Sequence, residues 1–310
     1  MHGVGFATIS SLIAGSKQAL SVHDRLRLDS FMIGLQILAS GSAANCSVVG
    51  DVNSSLLIDI GLGVHEMQNR LAATGFESSS IKAAVLTHTH TDHWKPASLN
   101  WLAKNGARLW CHAAHVDQIS PTTKGLESLL NQGLVSFFQD GTPFRPIPSW
   151  TFTPIRVSHD AEPTFGFRIE REASSGRKKG AMAYLADLGT ATDSLPWDML
   201  HDLDGLALES NHDPDMLESS NRPHHLIRRI RGNNGHLSNQ QCGEAAARLV
   251  RQSSGRLKSM VLLHLSRECN TAQLAKDTSI KALKGLVDPK HLHVADQNAP
   301  TKPAIFTQSC

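Results

Sequence analysis

Residues 87–93, THTHTDH, gather His88, His90, Asp92 and His93 directly after the apolar run at 83–86. Imidazole and carboxylate are metal ligands, and an aspartate among three imidazoles at the end of a buried strand needs a partner. Side chains alternate along an extended chain, so His88 and His90 point the same way. Asp92 and His93 follow the turn and can face a second centre, so one segment can feed two metals. Further ligand-type residues stand at the ends of other apolar runs: His159 with Asp160, Asp187, Glu209 with His212, His236 and His264. Sites in open sheets collect beyond one end of the strands, where loops converge. Two ions need about six or seven protein ligands besides solvent. The 88–93 cluster supplies four, and His159, Asp187 and His264 supply the rest. Imidazole with carboxylate and no thiolate suits Zn(II) best, with Mn(II) and Fe(II) as alternatives.

The elements that must position these groups follow from pattern. Strands are expected at FMIGLQILAS, CSVVG, SLLIDI, KAAVL and ARLWC, then at LVSFF, FTPIRVS, TFGFRIE and GAMAYLAD, and later at GLALES, SMVLLHLS and HLHVA. Helical spacing marks residues 63–74, which Gly75 stops, and 96–105, which open on Pro96. Helices are also predicted over 193–201, 223–231, 238–252 and 271–285. The charged loop REASSGRKKG reads as a solvated hairpin turn. Cys111, His112 and His115 in WCHAAHVD read as a capped helix rather than a separate metal site. Strand runs with helices before, between and after them imply two sheets covered by helices.

The 310 residues are 40% hydrophobic and 19% charged, with a net charge of +2, which is ordinary globular composition. This mild balance gives no sign of a chain that coats nucleic acid, though it leaves room for a local basic patch. Five scattered cysteines without CxxC spacing speak against a disulfide framework or a thiolate zinc site, and fit a reducing, cytoplasmic setting. No apolar run approaches the ~20 residues that span a bilayer, so no membrane partner is expected. Recognisable folding signal begins near Met32. Residues 1–31 read as a disordered tail or a mis-annotated start, and residues 32–310 as one domain.

The set ASGSAANC, LLIDIG, THTHTDH, SHDA, ADLG, ESNHD, GHLSN and LLHLSRECN resembles the metallo-β-lactamase fold superfamily, and within it the YycJ/WalJ-like subfamily. The resemblance covers about residues 33–270. It implies an αββα sandwich of two mixed sheets flanked by helices, and a phosphodiesterase or nuclease activity of the 5′-to-3′ DNA exonuclease kind, in which two metals make a bound hydroxide available near neutral pH. Carried residue by residue, it gives His88, His90 and His159 to one metal, Asp92, His93 and His264 to the other, and Asp187 to both. Asp59 and Asn45 would support this shell from outside. His236 would act as general acid with Glu209 orienting it, and Asp92 would share in catalysis. His212, Arg229 and Arg231 are candidate substrate contacts, the two arginines within a basic run that also holds Arg222 and Arg228. One departure is Ala44, where the subfamily usually has glycine. The implied partner is nucleic acid; oligomeric state is left open.

The competing reading is a hydrolase of small thioesters, lactones or cyclic phosphodiesters on the same scaffold. A redox diiron member would carry glutamate at the second position of the cluster, which Thr89 and His90 do not supply. A non-enzymatic module would have lost ligands, whereas all seven are present.

Overall fold

The computed structural model describes residues 32–307 except 52, 120–122, 173–177, 192–194 and 303. Expectations for residues 1–31 and for the tip of the charged turn lie outside the described residues. The first sheet contains β1 (Met32–Ala39), β2 (Cys46–Gly50), β3 (Ser55–Ile58), β4 (Ile81–Val85), β5 (Arg108–His112), β6 (Val135–Phe138) and β14 (Ala304–Thr307), in the order β14-β1-β2-β3-β4-β5-β6. The second contains β7 (Phe144–Ile147), β8 (Trp150–Val157), β9 (Thr164–Glu172), β10 (Lys178–Leu185), β11 (Gly205–Glu209), β12 (Ser259–Leu263) and β13 (Leu292–Val294), in the order β13-β12-β11-β10-β9-β8-β7. Each sheet is mixed. β14 through β3 pair antiparallel and β3 through β6 parallel. β7 through β10 pair antiparallel and β10 through β13 parallel.

Period-two alternation divides each strand between two cores. Leu56 and Ile58 of β3, Ala83 and Val85 of β4, and Val261 and Leu263 of β12 face the layer between the sheets, with Phe152, Phe165, Phe167 and Tyr184. Leu57 and Ala84 face outward and pack on α1 (Val64–Thr74), α2 (Pro96–Lys104), α3 (Ala113–Ile119) and α4 (Lys124–Asn131) through Met67, Leu71, Leu102 and Leu129. Leu206, Leu208, Met260 and Leu262 face the other way, onto α7 (Asn239–Gln252) and α8 (Ala272–Leu283). Between these lie α5 (Pro214–Glu218) and α6 (His224–Arg231), seated on Leu217, Ile227, Ile230 and Cys269. The strands read as continuous apolar runs because both of their faces are covered. The result is the expected αββα sandwich.

Some local expectations differ. Where a helix was predicted over 193–201, the described part holds only a 3-10 turn at Trp197–Met199; Pro196 biases the residue before it away from helical angles. β7 is an addition to the predicted strands; its Pro146 weakens the strand signal, and β7 lies at the edge of its sheet. The short α5 follows from Asp213, whose carboxylate accepts the N–H groups of Asp215 and Met216.

Phe167 is fully buried between the sheets, its ring 5.7 Å from those of both Phe138 and Phe152. Phe167→Ala should therefore cost about 3–5 kcal/mol, read as a lowered urea midpoint; a midpoint within about 1 kcal/mol of the parent would contradict this packing.

Candidate metal centre

The ligand-type residues stand just beyond the strand ends. His88, His90, Asp92 and His93 follow β4, His159 follows β8, Asp187 follows β10, and His264 follows β12 directly. Three of the turns bend through the left-handed region, at Asp59 (φ 59°), Asp187 (φ 53°) and His264 (φ 56°). Such angles are uncommon outside glycine and need surrounding structure to hold them. Here the Asp59 N–H donates to the Val85 carbonyl at 2.9 Å, and the His264 N–H to the Ser40 hydroxyl at 2.8 Å. Close backbone approach fixes the loops as well. A Cβ on Gly61 would fall 1.7 Å from the Asp92 carbonyl, and one on Gly189 would fall 2.1 Å from that of Asn233.

The seven predicted ligands converge as three overlapping sets, and a fourth joins Asp187 and His264 to Glu209 and His236. Ligand atoms of His88, His90 and His159 lie within 4.8 Å of one another, as do those of Asp92, His93 and His264, and of His88, His93 and Asp187. Asp187 lies between the first two sets: one oxygen is 3.2 Å from His93 Nε2, and the other is 3.4 Å from His264 Nε2 and 3.8 Å from His159 Nε2. The outer nitrogens are oriented from behind. His93 Nδ1 meets Asp59 at 2.8 Å, and Thr87 holds that carboxylate through its N–H and hydroxyl. His159 Nδ1 donates to the Gly235 carbonyl at 3.0 Å. Asn45 closes its own turn on Gly41 and donates to Asp92 at 3.1 Å. Ala44 sits in that turn without a positive φ, so it needs no glycine.

Burial decides the electrostatics. His88, His93, His159, Asp187 and His264 are at most 2% exposed. Burial alone would raise the Asp187 carboxyl, but His264 and His93 outweigh it and hold its pKa well below the usual range. Burial likewise opposes charge on His93, yet Asp59 and Asp187 lift it to about 10. His88, crowded by other imidazoles, is pushed well down, with burial as the largest cause. The carboxylates at this centre face histidine nitrogens as well as N–H and hydroxyl donors. Nε2 of His88, His159 and His264 and one oxygen of Asp187 are buried without a hydrogen-bond partner, although buried polar atoms are normally paired. Divalent cations would occupy those four atoms, so the residues fit a metal centre.

His236 borders it. Its Nδ1 is 2.7 Å from Glu209 and 3.8 Å from Asp187. Glu209 is fully buried; it also meets His264 Nδ1 at 3.3 Å and accepts the Leu188 N–H at 2.6 Å. Sequence reasoning paired Glu209 with His236 but missed this second bond. It also missed a buried amide cluster. Asn239 and Asn270 bond each other and Ser210, Asn270 donates to the Ser210 and Asn211 carbonyls, and Asn211 donates to the His264 carbonyl. The three asparagines come from the motifs ESNHD, GHLSN and LLHLSRECN, so the presence of an asparagine in each was the available signal. Asp160, a ligand-type residue in the sequence to which no role was given, lies 3.5 Å from His90 Nε2 and 3.3 Å from His159 Nε2.

The remaining candidates are placed as follows. Arg229 pairs with Asp160, Arg231 with Glu218 at 2.6 Å, and Arg222 with Glu268 at 3.0 Å. His212 was expected to meet substrate, support the metal shell from outside, or lie at the surface; it is only 3% exposed, which removes the surface reading, and burial lowers it to about 4, its backbone bridging Ser238. Cys111 is buried and His115 Nε2 donates to the Pro163 carbonyl at 2.9 Å, which accords with the capped-helix reading.

A family model described as a β-lactamase superfamily domain matches residues 55–265. The exodeoxyribonuclease WalJ of Streptococcus pneumoniae is 29% identical over 252 residues, covering 80% of this chain and 87% of that protein. The exodeoxyribonuclease YycJ of Bacillus anthracis is 28% identical over 277 residues, covering 86% and 96%. Among solved structures, the metallo-β-lactamase fold protein YhfI of Bacillus subtilis superposes with a TM-score of 0.60 at 16% identity, over 87% of this chain and 99% of that one.

Asp59 belongs to none of the ligand sets, yet it fixes the His93 ring. Asp59→Ala should lower Zn(II) affinity about 10–100-fold, measured by competition with a chromophoric chelator; unchanged affinity would contradict the orienting role.

Proposed function

The chain belongs to the β-lactamase superfamily, and on that basis we propose that it is a metal-dependent phosphodiesterase that degrades DNA as a 5′-to-3′ exonuclease in the cytoplasm. The observation that carries the reading is His236 held by Glu209 at the edge of the metal centre: a proton donor there suits an alkoxide leaving group, which is poor without one. The names of the two exodeoxyribonuclease relatives support DNA as the substrate class. The four described cysteines, Cys46, Cys111, Cys242 and Cys269, are buried and free, which suits a reducing compartment, and no described helix is long and apolar enough to cross a membrane.

His88, His90 and His159 would hold one ion, Asp92, His93 and His264 the other, and Asp187 would join them, with Zn(II) the best match to these donors. When bound, such ions make water nucleophilic near neutral pH and neutralise charge building on the phosphoryl oxygens. The chain's own residues do the rest. Asp59, Asn45, Glu209 and the Gly235 carbonyl lock the rings and carboxylates in place. With Nδ1 of His236 engaged by Glu209, Nε2 is the nitrogen that gives its proton to the leaving oxygen, a contribution of about 10²–10⁴-fold. Glu209 stabilises the charged imidazole before that transfer. Along α6, His224, Arg228 and Arg231 line a groove of about 440 Å³ with Glu218, where the phosphates of a strand would lie.

His236→Ala should keep its metals and cut DNA about 10²–10⁴-fold more slowly, followed with end-labelled single strands and metal analysis. An unchanged rate would end the acid role, and cleavage of a thioester or lactone but no DNA would overturn the substrate class. Binding of single-stranded DNA should weaken with salt, and Arg228→Glu with Arg231→Glu should flatten the log–log slope by about 0.7 for each phosphate no longer neutralised; an unaltered slope would remove α6 from the path.

A further inference from the structure

Asp160 stands next to the candidate ligand His159 in the turn after β8, and its two carboxylate oxygens face different groups. One lies 3.5 Å from His90 Nε2 and 3.3 Å from His159 Nε2. The other is held by Nε and Nη2 of Arg229 on α6. The neighbouring residues make similar joins. Ser158 donates to the Asn234 side chain at 2.6 Å, and His159 Nδ1 donates to the Gly235 carbonyl at 3.0 Å. Three consecutive residues after β8 thus each bond the segment 229–235 that leads to His236.

The spacing of the first oxygen is not that of a hydrogen bond. Both separations exceed the roughly 2.7–3.2 Å of an N–H···O bond, and His159 Nε2 is buried with no hydrogen-bond partner even though Asp160 is beside it. Zinc bonds to nitrogen and oxygen are about 2.1 Å long, so two donors at a tetrahedral angle on one ion stand about 3.4 Å apart. His90, His159 and Asp160 are spaced as donors that share an ion. Charge points the same way. Histidine ligates as neutral imidazole, so His88, His90 and His159 bring no anion of their own, whereas Asp92 serves the second set. Asp160 would give each set one carboxylate besides the Asp187 they share. His88 and His159, at most 2% exposed, close the inner side of the first set, and the side chains of His90 and Asp160, at 38% and 24%, close the outer side.

We infer that Asp160 is an eighth metal donor, which joins His88, His90 and His159 on the first ion through one oxygen while Arg229 holds the other. A ligating carboxylate is normally hydrogen-bonded in turn, and here that bond comes from α6. Arg229 is then a positioning residue for the ion and acts on it through Asp160. The inference rests on the two-ion reading above and is independent of which ester is cut.

The test uses full-length protein stripped of metal and reloaded. Zinc affinity is read by competition with a chromophoric chelator, and the visible absorption bands of the Co(II)-loaded protein report the donor set. Asp160→Ala should weaken one of the two ions about 100-fold and shift the cobalt bands. Arg229→Gln should weaken the same ion about tenfold and leave the bands in place. Loss of a nearby negative charge without loss of a donor would weaken binding but keep the bands, so an unshifted cobalt spectrum in Asp160→Ala would overturn the inference, as would parent affinity for both ions in that variant. Either result, with two ions in the parent, leaves the two-ion reading standing. A parent that takes up fewer than two ions would instead overturn that reading and the eighth donor with it.

Discussion

Asp59, Asp187 and Glu209 are carboxylates at most 2% exposed, lying where the two sheets meet at their strand ends. A buried charge is costly unless it is paired and hydrogen-bonded, and the surrounding structure is arranged around that constraint. Asp59 is matched by His93 and Thr87, Glu209 by His236, His264 and the Leu188 N–H, and Asp187 by His93 and His264. Each match uses a residue from a different strand end. The centre can exist only if both sheets are in register, so the inter-sheet core of Phe152, Phe165 and Phe167 is a condition of the site as well as of stability.

The same bonds couple the two halves of the site. One carboxylate oxygen of Glu209 meets both a candidate ligand, His264, and the candidate acid, His236, while the other accepts the Leu188 N–H. The loop that carries His236 also supplies the Gly235 carbonyl that orients His159. Displacing this loop would therefore disturb both a ligand and the acid, and Gly189 packs tightly against Asn233 of the same loop.

Much of this was legible in the sequence because the chemistry requires particular side chains at local spacing. THTHTDH, ADLG and LLHLS point to the ligands without knowledge of what packs against what, and the strands are legible because two covered faces leave continuous apolar runs. The less legible parts are of two kinds. Some are local exceptions, such as the Pro146 edge strand and the single turn at Trp197–Met199. The others are contacts between segments far apart in the chain: Asn239 with Asn270, Asp160 with Arg229, and Glu209 with His264. Residue type announces that such groups need partners but not which partners. His212 shows the limit from the other side, since a histidine in a polar motif reads as exposed until its backbone bridge to Ser238 is seen to bury it.

The proposed function requires that His88, His90, Asp92, His93, His159, Asp187 and His264 together hold two divalent ions. Counting metal per chain by mass spectrometry on zinc-loaded protein, parent against Asp187→Ala, tests it most directly. The account predicts two ions per chain in the parent and fewer than two in the variant; one or none in the parent, or two retained without Asp187, would contradict it.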